Sequence, residues 1–241
     1  KMQQYLQQVA NAIRTQNGSK VASLLSFTNW KKNVLSSCSQ FLKQNLPQLN
    51  QSVTGVTKRS GLATWESFIS LHSQVCLIHL GQNNHSDAYE MLTKANKEFL
   101  GYFEKESNPW ALPVFILLIR QLREVATASD KLATGNKSLE DCAVQYRQFF
   151  KVANNKPMGL LPVIIGYLRV YFKLKSYQKC NEMIRHVVSG KTPPLHQHPI
   201  SQQVTYNYYT GCISVFSMDI VSATEKLSFA YNNTPAKYYK N

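Results

Sequence analysis

Few side chains in this sequence stand at spacings that perform chemistry. His196 and His198, in "TPPLHQHP", can chelate a metal, but their Pro-flanked loop brings no third or fourth ligand and is expected to be solvated. His72 and His79 lie seven apart on one helical stretch and are read as packed between helices. Glu140 and Asp141 are adjacent where a helix should begin, a place where acids favour the helix dipole. The five cysteines, at 38, 76, 142, 180 and 212, form no C-x-x-C pair, so reduced thiols in an intracellular protein are expected. Phosphate-loop, dinucleotide, zinc-protease and nucleophile-elbow motifs are missing. The expectation is a non-enzymatic protein without cofactor or metal.

The basic residues offer more. Lys and Arg number 27 against 13 Asp and Glu, a net charge of +14. Such a surplus favours a polyanionic partner, either nucleic acid or an acidic protein. It is uneven: residues 1–65 hold eight basic residues and no acid, whereas residues 66–141 hold seven basic and ten acidic ones. Residues 142–181 again carry seven basic groups and no acid. Within them Pro162, Gly166, Arg169 and Lys173 share one helix face, opposite a stripe of Leu161, Ile164, Leu168, Tyr171 and Phe172. Lys175 and Lys179 extend this edge into the next helix, and Lys156 precedes it. Lys156, Arg169, Lys173, Lys175 and Lys179 are therefore the candidate nucleic-acid contacts, since such a face can track phosphates. The competing reading is a solvated helix face. The aromatic cluster "VTYNYYTGCISVF" suggests base stacking, but Tyr206, Tyr209, Ile213 and Phe216 fall at helical spacing, which favours core packing.

The elements that must position these residues read as helix after helix. Apolar periodicity predicts helices over 3–16, 20–27, 30–46, 64–81, 86–103, 109–134, 138–153, 158–174, 176–189, 200–217 and 219–232. The stretch "PQLNQSVTGVTKRSG" (47–61) shows no periodicity and carries turn residues, which predicts a mobile loop. No period-2 segment is bracketed by hairpin turns, so the class is all-α. The longest apolar run, "WALPVFILLI", is ten residues, about half of the ~20 that a membrane span needs. The opening "KMQQYLQQV" lacks the apolar core of a signal peptide, and no membrane association is expected.

Small residues at fixed offsets suggest stacked helix pairs. Ala88, Leu92 and Ala95 are spaced four and three, a spacing repeated by Ala223, Leu227 and Ala230. Gly211 lies twelve residues before Ala223, and Pro235 five after Ala230, which is much of the tetratricopeptide (TPR) pattern. The expected architecture is a right-handed solenoid of TPR-like hairpins over 62–241, preceded by basic helices and a loop over 1–61. Its structural core is expected to include Pro109, Trp110, Tyr206, Tyr209, Gly211, Ala223, Leu227 and Ala230. In "NPWALPV", Asn108 can cap a helix and Pro109 suits its first turn. Pro113 either still falls among the unpaired N–H positions or kinks the helix, and the apolar run behind it predicts a buried central helix.

Five segments occur together in order: "YLQQV", "NPWALPV", "YFKL" (171–174), "VTYNYYTG" (204–211) and "LSFA" (227–230). This ordered set resembles the PCI-domain-containing protein 2 family, which includes the Thp-type subunit of the transcription-coupled mRNA export complex. The resemblance runs from Tyr5 to about Tyr231. It implies a helical solenoid leading into a winged-helix module, which would begin about where this sequence ends at "TPAKYYKN". It also implies a Sac-type scaffold partner, a small acidic Sem-type subunit, contact with RNA or other nucleic acid, and a nuclear location at the pore, compatible with passage to the cytoplasm. The segment after "LLSF" departs from the family's usual His-Pro continuation. A related PCI subunit of the COP9 signalosome, and a plain TPR-like peptide-binding adaptor, are the competing readings.

Overall fold

The computed structural model describes residues 2–35, 46–133, 135–189 and 192–235. The described residues are predominantly helical and no strand occurs among them, so the class is all-α. In chain order the helices are α1 (Met2–Arg14), α2 (Gly18–Leu25) and α3 (Phe27–Asn29), continued as a π-helix over Trp30–Leu35. Next come α4 (Leu46–Arg59), α5 (Ala63–Cys76, continued as a π-helix over Leu77–Gly81), α6 (His85–Lys105) and α7 (Leu112–Leu132). The last are α8 (Lys137–Ala153), α9 (Leu160–Lys173), α10 (Tyr177–Val188), α11 (Ile200–Phe216) and α12 (Ile220–Asn232). Residues 36–45 of the helix predicted over 30–46 lie outside the described residues. The chain forms two compact units, Lys1–Gln145 and Tyr146–Asn241, so the boundary falls within α8.

Each helix of the first unit packs mainly on its sequence neighbours, as α1 does on α2, α4 on α5, α5 on α6 and α6 on α7. The exceptions, α1 on α4 and α2 on α7, draw the unit together. Some buried polar groups pair across these interfaces. The Trp30 indole N–H donates to the Tyr5 hydroxyl at 2.8 Å, and that hydroxyl donates to the Leu24 carbonyl at 3.3 Å. Gln121 Nε2 donates to the Leu25 carbonyl at 3.1 Å, and its Oε1 lies 3.0 Å from His72 Nε2. Because buried groups left without partners are costly, these bonds fix how α1, α2, α5 and α7 meet.

The predicted loop over 47–61 is instead helix α4. Leu49, Val53 and Thr57, four residues apart, are all buried and make one narrow stripe. Glu66 of α5 completes the packing by accepting from Thr54 at 2.6 Å and from Thr57 at 3.3 Å. Three anchors over two turns, one of them polar, are too sparse a periodicity to outweigh the turn residues around them.

"NPWALPV" resolves without a kink. Pro109–Ala111 form a 3-10 turn, and α7 starts only at Leu112, which places Pro113 among the N–H groups that have no helical partner anyway. Asn108 occupies the cap position but makes no side-chain capping bond. Pro109 is exposed rather than core, because its ring sits on the solvent side of that first turn, and Trp110 is half-buried against Trp65 at 5.5 Å. Val114, Phe115, Leu117, Leu118 and Ile119 are all buried, so α7 is the central helix of its unit.

One turn recurs where helices reverse. Gln16, Asn83, Lys175 and Met218 adopt positive φ near +55°, and each is followed by the N-cap residue of the next helix: Asn17, Asn84 and Asp219, whose side chains accept a capping bond, and Ser176, whose side chain does not. After α9, Ser176 N–H bonds to the Tyr171 carbonyl at 2.9 Å and Lys175 N–H to that of Phe172 at 3.2 Å, closing the left-handed C-cap that glycine usually provides. At all four turns the left-handed position carries a side chain where Gly is usual.

In the second unit, α9 packs on α10 and α11, and α11 on α12. Helices α11 and α12 form an antiparallel hairpin, in which Gly211 faces Leu227 and Ser214 faces both Ser222 and Lys226. A β-carbon at Gly211 would stand 2.7 Å from Leu227 Cγ. Ala223 and Ala230 are buried beside them, so the small residues of the TPR-like pattern do bring two helices close.

Candidate nucleic-acid interface

Helix α9 carries the basic edge, and its first half is entirely core. Every residue from Leu160 to Leu168 is buried, including Pro162 and Gly166, so the proposed basic face reaches solvent only from Arg169 onward. Arg169 is half-buried, while Lys173, Lys175 and Lys179 are exposed. Lys156 is 9% exposed at the entry to the 3-10 turn Pro157–Gly159, a depth that removes it from any surface tracking phosphates.

The remaining four cations do not share one face. On a helix of 3.6 residues per turn, Arg169 and Lys173 lie together and Tyr171 opposite them. Lys179 Nζ sits 5.7 Å from the centre of the Tyr171 ring, on that opposite side. Tyr171 stacks on Tyr167 at 5.8 Å, and burial raises its phenol; Arg147 counters that shift, and Glu182 and Cys180 add to it. Lys179 therefore belongs to a small group with Tyr171, Arg147 and Glu182. Lys175 is exposed in the turn after α9, where its φ is +55°.

Arg169 faces α11 and α12. There it lines a cavity of about 500 Å³ together with Thr205, Tyr208, Tyr209, Leu227, Tyr231 and Thr234. Of the predicted core stripe, Tyr206 and Ile213 are buried and Tyr209 is half-buried, packing edge-on to Phe172 at 4.7 Å. Phe216 departs from the stripe: it is 58% exposed at the end of α11. Leu227 is half-buried. Tyr208 and Tyr231 are 51% and 66% exposed, and neither is among the site residues expected from the sequence. A signal for Tyr208 existed, because it stands two residues from Tyr206, which turns it well away from the core face.

His72 is buried with its imidazole lowered to about 4 by desolvation, partly offset by the bond to Gln121. His198 is buried and His196 exposed, and no group of three or more His, Cys, Asp or Glu could hold a metal among the described residues. Asp141 accepts from the Tyr89 hydroxyl at 2.8 Å. Among the described residues no helix is long and apolar enough to cross a membrane.

No family model matches the chain. It is similar along its whole length to PCI domain-containing protein 2 of Danio rerio, 27% identical over 261 residues, covering 100% of this chain and 61% of that protein. Enhanced ethylene response protein 5 of Arabidopsis thaliana is 26% identical over 245 residues, 99% of this chain and 58% of that one. A protein CSN12 homolog of Mycosarcoma maydis is 29% identical over 153 residues, 53% of this chain and 33% of that one. The chain thus spans about three-fifths of the first two relatives.

Proposed function

We propose that this chain is the helical-repeat part of a PCI-type, non-enzymatic scaffold subunit that also contacts RNA. The observation that carries the scaffold reading is the end-to-end similarity to PCI domain-containing protein 2, on a fold whose helices pair as repeats do. Within that reading the chain serves a nuclear, pore-associated assembly coupling transcription to mRNA export, beside a Sac-type scaffold and a small acidic Sem-type subunit. Support for RNA binding comes from the exposed Lys173, Lys175 and Lys179 in a forty-residue stretch without an acid. Similarity to CSN12 homologs supports a second reading, a subunit associated with the COP9 signalosome.

Affinity purification of the protein from nuclear extract tests the assembly. Recovery of a Sac-type scaffold and a small acidic subunit is expected, and recovery of signalosome subunits in their place favours the second reading. Neither set appearing would reject the scaffold proposal. For RNA, replacing Lys173, Lys175 and Lys179 with Ala should reduce the slope of log affinity against log salt by up to ~0.7 for each phosphate that a lysine neutralises. An unchanged slope shows that these lysines are only solvated surface.

A further inference from the structure

The cavity beside Arg169 differs in kind from the lysine edge. A row of exposed lysines can follow a phosphate chain, but it has no means of telling one strand from two. The cavity, by contrast, combines one guanidinium with three phenol rings, from Tyr208, Tyr209 and Tyr231. Thr205 and Thr234 add hydroxyls at its wall, and Leu227 gives it an apolar side. At about 500 Å³ it falls within the roughly 300–1,000 Å³ of small-ligand sites.

We propose that this cavity takes one unpaired nucleotide of single-stranded RNA, its base stacked on Tyr208 and Tyr231 and its phosphate held by Arg169. The assignment rests on the RNA reading above and names the form of RNA it selects. Tyr208 and Tyr231 are 51% and 66% exposed and both line the cavity, Tyr208 standing edge-on to Tyr209 at 5.2 Å. Every base has a π-face, so such stacking tolerates any sequence, and Arg169 gives the fork geometry that suits a phosphate. Lys173 follows one helical turn after Arg169, about 5–6 Å between β-carbons, and is exposed to meet the adjoining phosphate. A duplex holds its base faces in the stack, so it cannot enter; the single strand can.

The test uses the 241-residue chain with a fluorescein-labelled RNA of about 12 nucleotides, long enough to fill one single-strand site, and a duplex of the same length, followed by anisotropy against salt. The double variant Tyr208→Ala/Tyr231→Ala is expected to lose about tenfold in affinity for the single strand, with little change for the duplex and an unaltered salt slope. Tyr208→Phe/Tyr231→Phe keeps the rings and should restore binding, while matching thermal midpoints for all forms show that the fold is intact. If the Ala variant binds the single strand as tightly as the parent while the lysine variant weakens, the cavity proposal falls and the lysine edge stands. An equal drop on both RNAs also overturns it. If the parent binds no RNA, both readings fall; if instead a Glu- and Tyr-rich peptide binds and the Ala variant abolishes it, the cavity is a protein-docking site and this proposal is wrong.

Discussion

No side chain fits on Gly18, because a β-carbon there would collide with the backbone carbonyl of Trp110. The start of α2 and the turn "NPWA" thereby set each other's position, and with them the way the central helix α7 enters its unit. Backbone cannot swing aside as a side chain can. Gly18→Ala should destabilise the chain by at least the ~1–3 kcal/mol of ordinary overpacking, read as a lower urea midpoint. An unchanged midpoint would mean that the turn shifts freely.

Gly211 meets a softer neighbour. Its missing β-carbon would approach the side chain of Leu227 at 2.7 and 2.8 Å, with the Leu227 backbone N further off at 3.3 Å. Gly211→Ala should therefore cost about 1–2 kcal/mol, much of it recovered when Leu227→Ala is added, beyond what the two single changes sum to. A double-mutant cycle with no coupling would show that this pair does not set the α11–α12 distance.

Tyr5→Phe leaves the Trp30 indole N–H, fully buried, without its acceptor. Stability should drop by about 1–3 kcal/mol, the cost of an unsatisfied buried donor. In a Trp30→Phe background there is no donor to strand, so the same hydroxyl deletion should cost distinctly less. Chemical denaturation of the four forms measures the difference, and an equal cost in both backgrounds would show that the indole bond contributes nothing.

Acid should weaken the first unit through His72. Its folded-state value, about 4, lies below the ~6.5 of an unfolded histidine, so the unfolded chain takes up the proton first as pH falls. Stability present above pH ~6.5 is lost between about 6.5 and 4, by at most ~1.4 kcal/mol per pH unit for this one group. His79, also lowered to about 4 by burial and the neighbouring His85, adds a slope of the same sign. His72→Gln should reduce the pH slope of stability by about one proton across that window, whatever its absolute stability. A slope equal to the parent's would acquit His72.

Lys175 and Met218 hold a left-handed conformation that costs a side-chain-bearing residue roughly 1–2 kcal/mol. After the entropy given up to a freer unfolded chain, Met218→Gly should still raise stability by about 0.5–1 kcal/mol. Lys175→Gly should do the same while weakening RNA binding, so its two readouts move in opposite directions. A thermal midpoint lowered in both variants would show that the turns are not strained.

The all-α class and most helix positions were already written in the chain, because an amphipathic helix prints its period wherever its buried stripe is broad. The run from Val114 to Ile119 and the set of Gly211, Ala223, Leu227 and Ala230 were legible for that reason: each follows from local spacing. Helix α4 was not, since Leu49, Val53 and Thr57 make a stripe too thin to read until α1 and α5 close over it. Nor was the partition of the basic edge. Which side of α9 meets solvent is decided by tertiary packing, which leaves Pro162 and Gly166 buried. It also turned Arg169 towards Tyr208 and Tyr231 and left Lys179 over Tyr171. Periodicity fixes which residues share a face, through the geometry of a single helix. What each face meets depends on neighbours far away in the chain, and no local pattern records them.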